Sequence, residues 1–256
     1  MKAVILAAGK GTRMGELTNE LPKPMLQVCG KPILEHIVAG IAAAGIHKVL
    51  IVTGHRAEVV EKHFGDGSRW KVQIQYVRQT VAEGTGRAAH LGQEFAGDSP
   101  FLLTYGDILV IQDSLIANTE TYRNMVRRFV EAQSAGVITV TRGEDVTKGG
   151  LNFFDNNFCL QKLVEKPTPA QLDQLRREGW LKPNEPVWYN AGIYIFTPAL
   201  FEFTGKLQKS PRGEYELTDA IIGLVAAEHK LAGLEIHGRW VDVRDPEVLA
   251  RLRTVK

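Results

Sequence analysis

The chain has 256 residues, 44% hydrophobic and 23% charged, with a formal net charge of +2. Those values fit a globular protein with a large core, in one domain or a domain carrying a sizeable insertion, and give no bulk signal for nucleic acid. Cys29 and Cys159 lack any ligand-like spacing and read as free thiols of a reducing cytosol, and no apolar run approaches the ~20 residues that span a bilayer.

The apolar opening AVILAAG is too short for a signal peptide and has no separate cleavage site, so residues 4–7 are expected to form a buried strand of the parallel type. PILEHIVAGIAAAG follows as a helix, with Pro32 in its first turn, Ile33, Ile37 and Ile41 four apart, and Gly45 at its end. A second buried strand is expected over 48–54, a helix over 57–65, a strand over 72–77, a helix over about 86–95, and a strand over 101–107 ending in TYGD. Strands separated by helices imply βαβ units and a parallel sheet with helices on both faces.

After about residue 141 the rhythm changes. LNFF, LQKLVE and AGIYIF read as short strands, interrupted by the helical PAQLDQLRREGW. This is expected to be a smaller, partly antiparallel lobe inserted beside the main sheet. Residues 216–230 again read as a helix, WVDV (240–243) as a strand, and DPEVLARLR as a closing helix capped by Asp245. The expected division is a core over 1–141, a lobe over 142–215, and a return to the core over 216–256.

LAAGKGTRM (6–14) joins the first strand to a turn with two glycines and two cations. A dinucleotide fingerprint fails because its third glycine position is Met14, and neither Glu16 nor Glu20 ends a second strand. A Walker loop fails because Lys10 is followed by Gly11 rather than Ser or Thr. What remains is a strand-to-loop transition carrying Gly9, Gly11 and Arg13, then PKPM with Lys23: either a glycine-lined phosphate cradle, with Arg13 as a planar fork and Lys23 as a compact charge, or a solvated turn with two surface cations. Asp107 ends an apolar strand at the carboxyl edge, where open α/β sheets place ligands.

LAAGKGTRM followed by LPKPM resembles the opening of the sugar-1-phosphate nucleotidyltransferases, and the resemblance runs the length of the chain. QTVAEGTGRAA (79–89), TYGD, VEKP (164–167), YNAG (189–192), RGEYELTDA and WVDVRDPE resemble that family's later segments in order. The resemblance implies a Rossmann-like, doubly wound, mostly parallel sheet with an inserted small sugar-binding lobe, the nucleotide-diphospho-sugar transferase fold. It implies transfer of a nucleoside monophosphate from a triphosphate, with UTP or dTTP favoured, to a sugar 1-phosphate with release of pyrophosphate.

In that reading Arg13 and Lys23 are catalytic. Leu6, Ala8, Gly9, Gly11, Thr12, Gln79, Gly84 and Thr85 hold the nucleotide with them. Tyr105, Gly106, Gly150, Glu165, Lys166 and Asn190 hold the sugar phosphate, and Asp107 with Asp242 binds Mg²⁺. A phosphate monoester loses its second proton near pH ~6, so the nucleophile needs no general base. Gly86 departs from the alanine usual in the family. Asp242 is alternatively a partner for Arg239 or Arg244, and Tyr105 a packed strand-end aromatic. Trp180 and Trp188 either pack the lobe or line the sugar pocket. The sequence stops at Lys256, so no appended β-helix and no second activity are expected. The expected setting is cytoplasmic, without nucleic-acid or membrane partners, with a homo-oligomer left open. Two other outcomes stay open: a catalytically silent nucleotide-sugar-binding module, and CTP-dependent transfer to another phosphorylated alcohol.

Overall fold

Five consecutive apolar residues, AVILA, cannot alternate between a wet and a dry face, so they require cover on both sides of a sheet. In the computed structural model, which describes residues 1–183 and 185–252, they lie in β1 (Lys2–Ala7), with Ala3, Val4 and Ile5 wholly buried. A short hairpin, β2 (Gln27–Val28) and β3 (Lys31–Pro32), leads to α1 (Ile33–Ala43), β4 (Lys48–Thr53), α2 (Ala57–Phe64) and β5 (Gln73–Arg78). Next come α3 (Thr85–His90), α4 (Gln93–Ala96), β6 (Phe101–Tyr105), β7 (Ile108–Gln112), β8 (Leu115–Ile116), α5 (Asn118–Ala132) and β9 (Gly136–Thr141). The lobe contributes β10 (Gly150–Phe154), β11 (Leu160–Glu165), α6 (Pro169–Arg177) and β12 (Trp188–Phe196). The chain then forms α7 (Leu200–Thr204), α8 (Leu217–Ala226), β13 (Leu231–Glu235), β14 (Arg239–Asp242) and α9 (Pro246–Leu252).

One sheet of nine strands runs β11-β10-β12-β6-β1-β4-β5, with β9 and β13 joined to it through β12. β6, β1, β4 and β5 are mutually parallel, whereas β12 is antiparallel to β6 and to β10. Apolar side chains fill both faces. Ile33, Ile37 and Ile41 of α1 pack with Tyr122 of α5 on one side, and Ala88, Leu217 and Ile221 of α3 and α8 pack on the other. The fold is α/β, with helices on both faces of a mostly parallel sheet and an antiparallel lobe strand pair at its edge.

Several elements depart from the sequence reading. The helix expected over 86–95 is broken into α3 and α4 at Gly92, where a Cβ would lie 3.2 Å from Val4 Cγ2 of β1, so the chain must bend to pass the strand. The helix expected over 216–230 ends at Ala226, because the following residues turn into β13, parallel to β9. The strand expected over 240–243 is β14, shifted by one residue to Arg239–Asp242, and it pairs with β7 in a separate three-stranded sheet. Asp245 does cap α9, its Oδ1 accepting from the Val248 N–H at 2.9 Å, a bond of a kind worth about 1 kcal/mol. Arg253, the last residue of the predicted closing helix, lies outside the described residues. Among the described residues no helix is long and apolar enough to cross a membrane.

Candidate active site

The loops after β1 and β6 leave the sheet at the carboxyl ends of two adjacent parallel strands, and a cavity of about 540 Å³ opens there. Leu6 lines it from the end of β1, Ala8, Gly9, Gly11 and Thr12 from the loop that follows, and Gln79, Gly84 and Thr85 from the segment after β5. Lys23, Gly106, Asp107 and Asp242 complete it. A second cavity of about 200 Å³ is lined by Gly150, Glu165, Lys166 and Asn190, and it shares Thr85, Tyr105, Ile108, Glu214 and Asp242 with the first. Nearly all of the residues expected from the sequence are thereby gathered on two adjoining hollows. Arg13 is the exception: it is exposed at the rim, does not line either cavity, and has no ion-pair partner among the described residues.

Where the hollows meet, one ammonium faces two carboxylates. Lys23 Nζ lies 2.5 Å from Asp107 Oδ2 and 3.7 Å from Asp242 Oδ1. Pro22 and Pro24 flank a tight turn closed by the Met25 N–H on the Pro22 carbonyl at 2.8 Å, with Pro24 and Met25 buried, so the lysine stem has a fixed base. Asp242 is delivered by the register of β14 on β7, which sets it opposite Ile108, and the Val243 N–H donates to the Asp107 carbonyl at 3.0 Å. That backbone bond ties the two aspartates together across more than a hundred residues. Neither Arg239 nor Arg244 pairs with the Asp242 side chain; Arg244 turns instead to Glu144 and Asp245, each at 3.9 Å.

Burial opposes the charge on Lys23, but Asp107 and Asp242 outweigh it and hold its pKa above the ordinary lysine range. Burial and the neighbouring Asp107 push Asp242 up to about 6, in spite of Lys23 and the arginines nearby. Two hard oxygen donors aimed at one cation position match the few protein ligands that Mg²⁺ takes. The described residues contain no cluster of three or more His, Cys, Asp or Glu that could serve as a metal cage.

The smaller cavity is built on the β12–β10–β11 ladder. Gly150 is opposite Glu165, and a Cβ on Gly150 would lie 3.3 Å from Asn190 Cβ, so the three form one row. Asn190 Oδ1 accepts from the Gly192 N–H at 3.1 Å and the Tyr194 hydroxyl at 2.9 Å. A backbone N–H can only donate, which fixes the amide orientation and leaves the Asn190 NH₂ as the donor for a ligand. Burial raises the Glu165 pKa, against the pull of Lys166 and Arg212. Lys166 sits at φ +42°, outside the range comfortable for a side-chain-bearing residue, with its N–H on the Gly149 carbonyl.

Other expected residues have structural duties as well. The Gln79 amide donates to the Gly84 carbonyl at 3.1 Å, leaving its oxygen and one N–H for a base edge. Thr85 Oγ1 accepts from the Leu217 N–H at 3.1 Å. A Cβ on Gly86 would lie 2.9 Å from the Tyr215 carbonyl and overlap Leu207, which explains the absence of alanine there. Trp180 and Trp188 are outside both hollows, while Trp240 lines the smaller one. Sequence reasoning assigned no role to Glu214, Glu216, Thr218 or Tyr189, which also line it. The signal for the first three was RGEYELTDA, quoted as a motif but not resolved into residues.

Residues 2–253 match the family model of the nucleotidyl transferases. The UTP–glucose-1-phosphate uridylyltransferase AglF of Haloferax volcanii is 30% identical over 255 residues, covering 96% of this chain and 93% of that protein. A glucose-1-phosphate thymidylyltransferase of Streptomyces griseus is 30% identical over 245 residues, covering 94% of this chain and 62% of its own length. A solved UDP-glucose pyrophosphorylase complexed with UDP-glucose shares the fold, with a TM-score of 0.81 at 23% identity over 98% of this chain and 96% of that one. Against three of its curated relatives, the chain spans 52–63% of their length.

Proposed function

Because this chain belongs to the nucleotidyl transferase family, we propose that it transfers a nucleoside monophosphate from UTP or dTTP to a sugar 1-phosphate. One observation carries this reading: a nucleotide-sized hollow and a smaller polar hollow meet at Asp242 and Tyr105, with Lys23 and Asp107 at the seam. Residues 1–141 hold the nucleotide and 142–215 most of the acceptor pocket.

An oxygen of the sugar phosphate attacks the α-phosphorus. The bond from that phosphorus to the β-bridging oxygen breaks, and pyrophosphate departs with the electron pair. The difficulty is mutual repulsion of two polyanions, so positioned cations supply most of the help. Arg13 at the open rim grips the β- and γ-phosphates, and Lys23 offsets charge at the α-phosphate. Lys166 holds the incoming phosphate, and the Asn190 NH₂ and Glu165 carboxylate take sugar hydroxyls. Gln79 presents an acceptor and a donor to the edge of uracil or thymine. Asp107 and Asp242 would hold Mg²⁺, which supplies charge neutralisation between the two phosphates.

The test is a matrix of nucleoside triphosphates against sugar 1-phosphates, read by pyrophosphate release with Mg²⁺. UTP or dTTP with a hexose 1-phosphate is expected to release it, and neither reactant alone. Silence from every pair would leave a nucleotide-sugar-binding module. Release confined to CTP with a polyol phosphate would assign the acceptor to that class.

The raised pKa of Asp242 makes a separate expectation. Below about pH 6 this carboxyl holds a proton that a cation must expel, so Mg²⁺ should weaken about tenfold per pH unit there. Without metal, the sign is opposite to that of an ordinary salt-bridged aspartate. The folded state keeps the proton longer than the unfolded chain, so ionising Asp242 lowers stability as pH rises from 3.8 to about 6. Melting curves at pH 5 and pH 7.5 with and without Mg²⁺ should show the larger stabilisation at the higher pH; equal shifts would remove Asp242 from the metal.

A further inference from the structure

The loop after β1 folds back on itself through Thr18. That hydroxyl, on a residue only 5% exposed, lies 3.1 Å from the Gly11 carbonyl and 3.1 Å from that of Gly15. A Cβ on Gly11 would lie 3.0 Å from the Thr18 methyl and 3.0 Å from Lys23 Cβ, so the turn is wedged between these side chains. The Met14 N–H closes it on the Gly11 carbonyl at 2.8 Å, and the Met14 side chain enters the core. Arg13 is thus carried on a turn whose position follows that of Thr18.

The return arm, residues 18–20, is gripped from the segment between β4 and α2. A carbonyl can only accept, so His55 Nε2 donates to that of Thr18, at 3.1 Å. Arg56 sets Nε and Nη2 on the Asn19 carbonyl, both at 3.2 Å, and Nη2 on the Glu20 carboxylate at 3.3 Å. Gly54 lets this segment lie against the first loop, since a Cβ there would overlap the Ala8 carbonyl. Arg56 is at φ +54° and ψ +39°, in the left-handed region, where an L side chain carries a strain that glycine does not. Its bonds to the arm offset that strain. Neither His55 nor Arg56 lines either hollow.

We infer that His55 and Arg56 are positioning residues. They clamp the return arm, and through Thr18 they hold the turn bearing Gly11 and Arg13 in the form that receives a triphosphate; that ligand rests on the transferase reading. The effect is one of population. A loop that is competent only part of the time binds its ligand more weakly in proportion, while the chemistry after binding is unchanged. Gly150, Glu165 and Asn190 of the acceptor hollow stand on other elements, β10, β11 and β12, so affinity for the sugar phosphate should not follow the clamp.

Arg56→Gly tests this directly, because glycine accepts the left-handed backbone and only the guanidinium fork is lost. Its melting temperature should stay near the parent's. KM for UTP or dTTP should rise about tenfold, with kcat and the KM for the hexose 1-phosphate unchanged. His55→Ala should shift the triphosphate KM in the same direction. Arg56→Lys, with a point charge in place of the fork, should recover part of the loss. Without substrates, the Met14 and Asn19 amides, both bonded within the turn and arm, should exchange hydrogen faster in Arg56→Gly. A parent that neither binds nor turns over a triphosphate would defeat the transferase reading, and this role with it. A parent that does so, beside an Arg56→Gly variant with the same triphosphate KM or unchanged exchange, would overturn the clamp alone. Equal losses for both substrates with a lowered melting temperature would also overturn it, since Arg56 would then support the fold at large.

Discussion

Asp107→Ala is expected to cut turnover about 10³-fold without unfolding the protein. The carboxylate is one of two aimed at a single cation position, and it makes the short bond to Lys23. Its removal leaves one ammonium facing one carboxylate, so no buried charge is stranded, and the usual severe cost of breaking a buried ion pair is avoided. The loss therefore falls on chemistry. Single-turnover rates beside thermal melts would separate the two, and a variant that melts normally and turns over at close to the parental rate would dismiss Asp107 from the reaction.

Arg13→Ala should be comparably severe, about 10³-fold in turnover, and the most benign of all site changes for the fold. Its side chain is exposed and bonded to no described partner, so nothing folded depends on it. Yet its charge is felt by both Lys23 and Asp242, which puts it within reach of whatever lies between them. Lysine at this position should recover only part of the rate, since a point charge cannot reproduce a planar fork on phosphate oxygens. If alanine raised KM for the triphosphate and left kcat alone, Arg13 would serve binding only.

The βαβ half was readable because its signals are local. AVILA and KVLIVT are unbroken apolar runs, and Ile33, Ile37 and Ile41 keep helical spacing. β7, β9 and β13 were missed although ILVIQ and GVITVT are equally apolar; each pairs with a strand from far along the chain, which no local pattern announces. The site residues were reached through motif resemblance, but their mutual geometry was not. That Lys23 would rest on both aspartates depends on β14 pairing with β7, a contact spanning about half the chain.

The segment around Tyr215 is stitched to the one around Thr85 by three bonds: Tyr215 N–H to the Glu83 carbonyl, Gly86 N–H to the Tyr215 carbonyl, and Leu217 N–H to Thr85 Oγ1. One side of this seam lines the larger hollow, to which we assign the nucleotide, and the other carries Glu214, Glu216 and Thr218 of the neighbouring hollow. Under the proposed function, choice of donor and choice of acceptor would be inherited together. An engineer who grafts residues 79–86 from a relative with another base preference will have to carry 207–217 along, or accept a drift in sugar selectivity that no one selected for.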